Sequence, residues 1–305
     1  MALVSAKFSR LLDSRLTKVF ENKFKEQKRM VPFLYTEFDS DQAFNEYWEI
    51  GEVPDIVPFS GAIEYLDVAP GYYNKIEPGE FAAGLMFERK LVDDKKYPVL
   101  DGRTAGLAVS ANRVIEKYGV KPFALGETAS FDFQVSEEGV ALFSSSHSTK
   151  SGTSTASGFD NAGTSAISPT VVEATRVLMR KFRNSISERI DGADPNAIIH
   201  PDSLTKRVVE IIGTPAGLDT AYLNKNINYQ GYKSIPYSRM DDTSTTSWIM
   251  VDFEMMKKYM VFINRIKAEF FNTNDFETLM RKYAVYTRFG LGFLEWRWGY
   301  KHIVA

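Results

Sequence analysis

Apolar residues recur at three- and four-residue steps through residues 2–26: Phe8, Leu12, Leu16, Val19, Phe20 and Phe24. That spacing places them on one stripe of a helix, with Lys7, Arg10, Lys18 and Lys25 on the other side. The pattern stops before Val31-Pro32, since proline disfavours helix in the residue before it. A terminal helix of this kind needs a surface, in its own subunit or in another, to bury its stripe. A second helix is predicted over 101–118, with Leu107, Val109, Val114, Ile115 and Tyr118 on its apolar side, Asp93, Asp94 and Asp101 favouring its start, and Gly119 as its stop. A third is predicted over 169–182, opened by Pro169, with Val171, Val172, Ala174, Val177, Leu178 and Phe182 turned inward. Asp202 is placed to cap a fourth, which runs through Val208, Val209 and Ile212 to Gly213.

Between the helices the period changes to two. Residues 61–92 read as a long hairpin with its turn at Pro70-Gly71 or Pro78-Gly79. Leu85, Phe87 and Arg89 fall on one side of its second half and Met86, Glu88 and Lys90 on the other. A free two-stranded ribbon is marginal alone, so this one is expected to lie on something else. Further strands are predicted at 131–135, 197–200, 233–236, 247–252 and 260–263. In the last forty residues Tyr283, Val285, Thr287 and Phe289 alternate, as do Phe293, Glu295 and Arg297. Residues 32–60, with Pro32, Pro54 and Pro58, hold no period and read as an arm running over a surface. Residues 144–168 are rich in Ser, Thr, Gly and Ala and read as a flexible loop, and 220–228 as an Asn-rich loop. The class is α+β, without tandem repeats.

Composition narrows the function. The 305 residues exceed what one simple core usually fills, so two lobes or a core with large excursions are expected. Cysteine is absent, which excludes disulfides and Cys-based metal sites and suits a reducing cytosol. The net charge of −2 makes no nucleic-acid wrapper. Through Arg29, however, eight Lys or Arg stand against three acids, a basic end on an acidic body. Such an end suits an acidic neighbour or a genome, and equally a solvated helix face. No apolar leader or membrane-length apolar run is present, so a soluble intracellular product is expected.

Catalytic patterns are missing. No Walker loop, Gly-x-Ser-x-Gly elbow or His-Glu-x-x-His occurs, and Gly290-Leu-Gly292 is followed by Phe-Leu-Glu, which fails the dinucleotide pattern. His147 lies in the Ser-rich loop and reads as exposed, His200 as a structural residue at a strand-to-helix turn, and His302 as without a role. The acid pairs Asp93-Asp94, Glu137-Glu138 and Asp241-Asp242 read as solvated charge, because neighbours on a strand point to opposite faces. Arg281, Arg288 and Arg297, interleaved with Glu277 and Glu295, suggest an ion-paired sheet face rather than a nucleic-acid platform. No catalytic, cofactor-binding or metal-ligating residue is assigned, and no cofactor is expected.

The order of these elements resembles the Hong Kong 97-type major capsid proteins of tailed bacteriophages. Local wording adds to it. Glu138-Gly-Val-Ala-Leu-Phe-Ser-Ser-Ser-His147 is similar to a segment of Mu-type head subunits, with Glu-Gly in place of their Asp-Gly. Ala197-Ile-Ile-His-Pro-Asp-Ser-Leu, Leu218-Asp-Thr-Ala-Tyr-Leu-Asn-Lys-Asn, Tyr232-Lys-Ser-Ile-Pro-Tyr and Gly292-Phe-Leu-Glu-Trp-Arg-Trp-Gly-Tyr follow in the family's order. The likeness spans roughly residues 60 to 305. It implies an N-terminal helix and arm over 1–58, an E-loop hairpin over 59–95, a P-domain with its spine helix over 96–190 and 263–305, and an A-domain over 191–262.

By this resemblance the chain is a non-enzymatic shell subunit. It would form hexamers and pentamers of an icosahedral virion, assemble in the host cytoplasm and enclose double-stranded DNA contacted non-specifically. Its partners would be itself, a separate scaffold protein, a portal and, in some relatives, a decoration protein, with no membrane. Ring contacts are heterologous, one patch meeting a different patch on the next copy. The residues expected at such contacts are Phe8, Leu12, Leu16 and Phe20 on the helix stripe and Lys18 and Lys25 on its basic face. Tyr72, Tyr73, Lys75, Phe87 and Arg89 are expected there on the ribbon. Lys75 occupies the place from which some relatives cross-link to a neighbour's Asn, but no motif singles it out. The alternatives are an encapsulin-like compartment shell, which shares the fold, and a soluble hydrolase using the Ser-rich loop.

Overall fold

The computed structural model describes the chain except residues 1–4, 60, 64, 129–130, 191, 216–224, 276, 279 and 305, and the side chains of 5–11. In chain order it places α1 (Ser5–Glu26), α2 (Val31–Leu34), β1 (Thr36–Asp39), β2 (Asn45–Trp48), β3 (Tyr73–Ile76), β4 (Gly79–Glu88), α3 (Arg89–Asp93), α4 (Tyr97–Gly119) and α5 (Lys121–Ala124). β5 (Gln134–Ser136), β6 (Ala162–Gly163), α6 (Pro169–Met179), β7 (Ala197–His200), α7 (Thr205–Gly213) and β8 (Lys233–Pro236) follow. β9 (Trp248–Val251), α8 (Phe253–Tyr259), β10 (Met260–Asn274), β11 (Met280–Phe293) and β12 (Gly299–His302) complete the chain.

Two long strands organise the first lobe. β10 and β11 pair antiparallel, β1 adds parallel to β10, and β4 adds antiparallel to β11. The alternation read in β11 is the observed one: Tyr283, Val285, Thr287 and Phe289 are buried, while their neighbours Ala284, Tyr286 and Arg288 are half-buried. The buried face is covered by α4, which starts earlier than predicted with Pro98 in its first turn, and by α1. Leu12 and Leu16 pack with Phe87, Leu100 and Tyr283, and Phe20 with Leu107, Ala108 and Val285. Polar contacts fix the docking: Asp13 accepts from Tyr283 Oη at 2.8 Å, and Arg15 pairs with Asp101 at 2.5 Å.

The second lobe is a five-stranded sheet ordered β6-β12-β9-β7-β8. Every residue of β7 and β9 is buried, as the apolar runs Ala197–Ile199 and Trp248–Val251 demand, with α6 against β9 and β12 and α7 against β8. The expected lobe boundary at 262 falls inside β10. The Asp202 cap takes a different form. A turn of 3-10 helix covers Asp202–Leu204, and the Asp241 carboxylate receives the N–H groups of Asp202 and Ser203 at 2.7 and 3.2 Å. The strand predicted at 131–135 is confined to Gln134–Ser136. Residues 220–224 of the Asn-rich reading lie outside the described residues.

Three readings are corrected here. The hairpin over 61–92 does not form: β3 pairs with β2 and β5 in a separate sheet, and β4 pairs with β11. The reason lies at Gly290 and Gly292. A side chain on Gly292 would overlap Gln134 and come within 2.7 Å of Ile76 Cδ1, so the bare backbone lets β3 and β5 press against the end of β11. Gln134 is buried there, accepting from Phe293 N–H at 2.8 Å and donating to Asn74 Oδ1 at 3.0 Å. Secondly, Ala174, Val177 and Leu178 of α6 are exposed, and only Val172, Thr175 and Met179 face the sheet fully. Thirdly, His147 is 2% exposed, its ring stacked 4.2 Å from that of Trp296.

His302 also has a place in this core. Its Nδ1 accepts from Ser165 N–H at 3.1 Å, and its Nε2 lies 2.8 Å from a Thr175 hydroxyl that itself donates to Val171 O. Burial pushes the imidazole down from 6.5 to about 4. An unfolded chain therefore binds the proton first on acidification, and stability falls between pH 6.5 and pH 4 by on the order of 3 kcal/mol from this residue. His302→Gln should flatten that acid limb in urea unfolding of the unassembled subunit. A residual slope should remain from His200, whose pKa is also lowered by burial. An unchanged pH dependence would refute the assignment.

Candidate assembly surface

The expected contact residues divide by burial. Leu12, Leu16, Phe20 and Phe87 are buried in the subunit's own core, so in this conformation they offer a neighbour nothing. That corrects the expectation that the helix stripe waits for another copy: α4, β4 and the β10–β11 pair already cover it. The Phe8 side chain lies outside the described residues. Lys18 and Lys25 stand exposed on α1. Tyr72 is half-buried, its hydroxyl 3.0 Å from Ser148 Oγ. Tyr73 packs on Trp48, Lys75 sits over the Phe44 ring at 4.2 Å, and Arg89 pairs with Asp93 along α3 at 3.3 Å.

Among the described residues, exposed large apolar side chains are densest from the end of β2 into the stretch before β3. Trp48, Ile50, Val53, Ile56, Val57, Phe59, Ile63 and Tyr65 are exposed, Ile56 at 94% and Tyr65 at 92%. The described residues from Glu49 to Tyr72 form no helix or strand. Three prolines and the absence of any period explain why: there is no face to bury on this subunit. Fully burying one such side chain is worth about 1.5–3 kcal/mol, so the stretch carries a strong drive toward a partner. The arm expected over 32–60 and the hairpin expected over 61–92 meet here, and none of these residues was singled out; the missed signal was the density of large apolar residues in a segment with neither helical nor strand period.

The stretch is pinned at its base. Glu49 N–H donates to Tyr72 O and Gly71 N–H to Glu49 O, both at 3.0 Å. A side chain at Gly51 would overlap the Ala69 carbonyl, so only glycine lets the two ends approach. Below lies a charged floor. Arg297 pairs with Glu295 at 2.7 Å and faces Glu49 at 3.8 Å, its Nε donates to Arg183 O at 2.6 Å, and its guanidinium lies 4.6 Å from the Trp296 ring centre. Burial, then the nearby Glu295, raises the Glu49 pKa, while Arg297 opposes that rise.

The same floor disposes of the hydrolase alternative. His147 has Glu138 at 3.2 Å on Nδ1, as a catalytic base would, but its Nε2 faces Asn161 Oδ1 at 3.2 Å rather than a serine hydroxyl. Asn161 is oriented by its own amide, which donates to Leu142 O at 2.8 Å. These groups tie the Ser-rich segment to Trp296. Among the described residues no group of three His, Cys, Asp or Glu could hold a metal ion, and no helix is long and apolar enough to cross a membrane.

Gly51→Val should open the base of the stretch. Hydrogen exchange at the Glu49 and Gly71 amides is expected to quicken while β7 and β9 keep their protection. Unchanged exchange at both amides would show that the close approach is not needed.

The phage capsid protein family model matches residues 73–302. Solved structures agree on the fold. The capsid subunit of cyanophage Pam1 is similar at 10% identity with a TM-score of 0.58, over 91% of this chain and 92% of that one. The procapsid subunit of bacteriophage JBD30 is similar at 15% identity and 0.51, over 98% of this chain and 75% of that one. The SrpI encapsulin of Synechococcus elongatus is similar at 10% identity and 0.50, over 90% and 87%. No curated protein matches in sequence. At such identities the structures establish the Hong Kong 97-type fold, and the family match, which runs from β3 to β12, supplies the rest: the chain belongs to the phage capsid protein family and is a structural capsid protein.

Proposed function

We propose that the subunit closes into hexamers and pentamers of an icosahedral head around double-stranded DNA. In this reading each copy's exposed stretch at 48–65 lies across a neighbour. The observation that carries it is that stretch: eight large exposed apolar side chains within eighteen residues, on an ordered base. One copy's stretch meets a different patch on the next, the heterologous contact that closes rings. The lobe containing α4, β4, β10 and β11 takes the P-domain role, α4 being its spine helix. The lobe containing β7, β8, β9 and α7 takes the A-domain role, and the stretch at 48–72 with β3 replaces the expected hairpin as the E-loop.

The virion is the proposed location, with assembly in the host cytoplasm guided by a separate scaffold, a portal at one vertex and, where present, a decoration protein. The DNA is contacted without sequence preference through the basic face of α1. The encapsulin-like reading shares the fold; the contents of particles purified from infected cells separate the two, because a phage head protects DNA and a compartment holds cargo protein.

The subunit expressed with its scaffold should sediment far above a tetramer and show closed particles in negative stain. Ile56→Ser with Phe59→Ser should leave the urea midpoint of the free subunit within about 0.5 kcal/mol, since both side chains are already in water. The yield of particles should fall severely. Normal particle yield from the double variant would end the assignment of this stretch to the contact.

A further inference from the structure

Among the described residues, the strands at the edges of the three sheets are short, with one exception. β1, β2 and β8 have four residues each, β5 three and β6 two, and β8 ends in Pro236. Short edges and proline are two ways in which a sheet avoids pairing with another chain. β4 has neither. It is ten residues long, outermost in its sheet, and free of proline, lysine and arginine. Its register with β11 runs from Gly79 opposite Phe289 to Glu88 opposite Met280 without a bulge. Every second residue of such a strand turns its N–H and C=O away from its partner. Among the described residues no backbone group outside β11 bonds to residues 80–86. Ala82, Ala83 and Gly84 are exposed in succession, so water reaches the middle of the edge.

A segment with the matching need lies in the stretch before β3. Residues 59–69 contain no proline, so each keeps its N–H. Ile63, Tyr65 and Val68 are residue types that suit a strand. None of the described residues of 59–69 makes a backbone–backbone hydrogen bond. Two other pairings fit the edge less well. A second β4, antiparallel and centred on Gly84, would set Glu80 opposite Glu88 at both ends, and like charges directly opposed destabilise a pair. A return of the stretch onto its own β4 is the hairpin that the pairing of β3 with β2 and β5 displaces.

We propose that residues 62–68 of one copy add as a fifth strand to the free edge of β4 in the next copy. Laid over residues 81–87, the segment keeps Glu64 and Asp67 away from Glu80 and Glu88 in either strand direction. Both directions also set Tyr65 against Gly84, where an aromatic ring covers a bare glycine on a sheet edge. The inference rests on the reading of the stretch as the contact between subunits, and it names what receives it. The two patches differ, as a ring-closing contact requires.

The chain has no cysteine, which makes cross-linking clean. Tyr65→Cys and Gly84→Cys subunits, each checked for an unchanged urea midpoint, are mixed, assembled and oxidised. A disulfide-linked dimer is expected that neither variant yields alone and that Tyr65→Cys with Val209→Cys, on α7 of the other lobe, does not yield. In unaltered particles the outward amides of residues 80–86 should exchange about tenfold or more slowly than in the free subunit. A dimer from Gly84→Cys alone would mean that β4 pairs with β4. A faster-migrating monomer from the double variant, oxidised before assembly, would mean that the stretch pairs at home. Either result overturns the proposal, as do particles with no mixed dimer and unslowed amides. Loss of particles in Ile56→Ser with Phe59→Ser, beside such unslowed amides, would leave the stretch as the contact and remove β4 as its receiver.

Discussion

Apolar area must be covered, and where this subunit covers it decides what remains for a neighbour. The stripe on α1 is satisfied at home by Phe87, Leu100, Tyr283 and Val285. The stretch between β2 and β3 is not, although its ends are held by backbone pairs and by the close approach at Gly51. Holding such a segment at its base while leaving its side chains in water reduces the ordering cost of a later contact. The charged floor beneath it, Arg297 with Glu295, Glu49 and Trp296, makes that base rigid rather than merely close.

The elements legible in the sequence were those whose period reports their burial. β9 is an unbroken apolar run, β7 is one up to its final His200, and both are wholly buried; β11 alternates, and Tyr283, Val285, Thr287 and Phe289 are its buried set. What failed depended on partners distant in sequence. β3 and β4 look like two arms of a ribbon, but the choice of partner was made by two glycines some 210 residues away, at Gly290 and Gly292. His147 sits in a segment composed like a free loop and is buried because Trp296 supplies a ring to stack on. The uncovered stretch escaped notice for a related reason: amphipathic order is what a period reveals, and this exposed apolar segment has no order to detect.

Fold and family answer different questions here. The same topology serves a phage capsid and an encapsulin at nearly equal similarity, so architecture alone names only a way of tiling a shell. The match over residues 73–302 places this chain among phage capsid proteins, and the proposed contact through the exposed stretch is what would join one tile to the next.

The docking of α1 has a consequence for synthesis. Asp13 and Arg281 meet across 268 residues of chain, so the cover of α1 is completed by a strand made long after it. At roughly 5–20 residues per second, the ribosome needs about ten seconds to a minute to deliver that strand. Through that interval Leu12, Leu16 and Phe20 have Leu100, Leu107 and Ala108 of α4 to pack on but lack Tyr283 and Val285, so a nascent chain holds this end half-covered until β11 arrives.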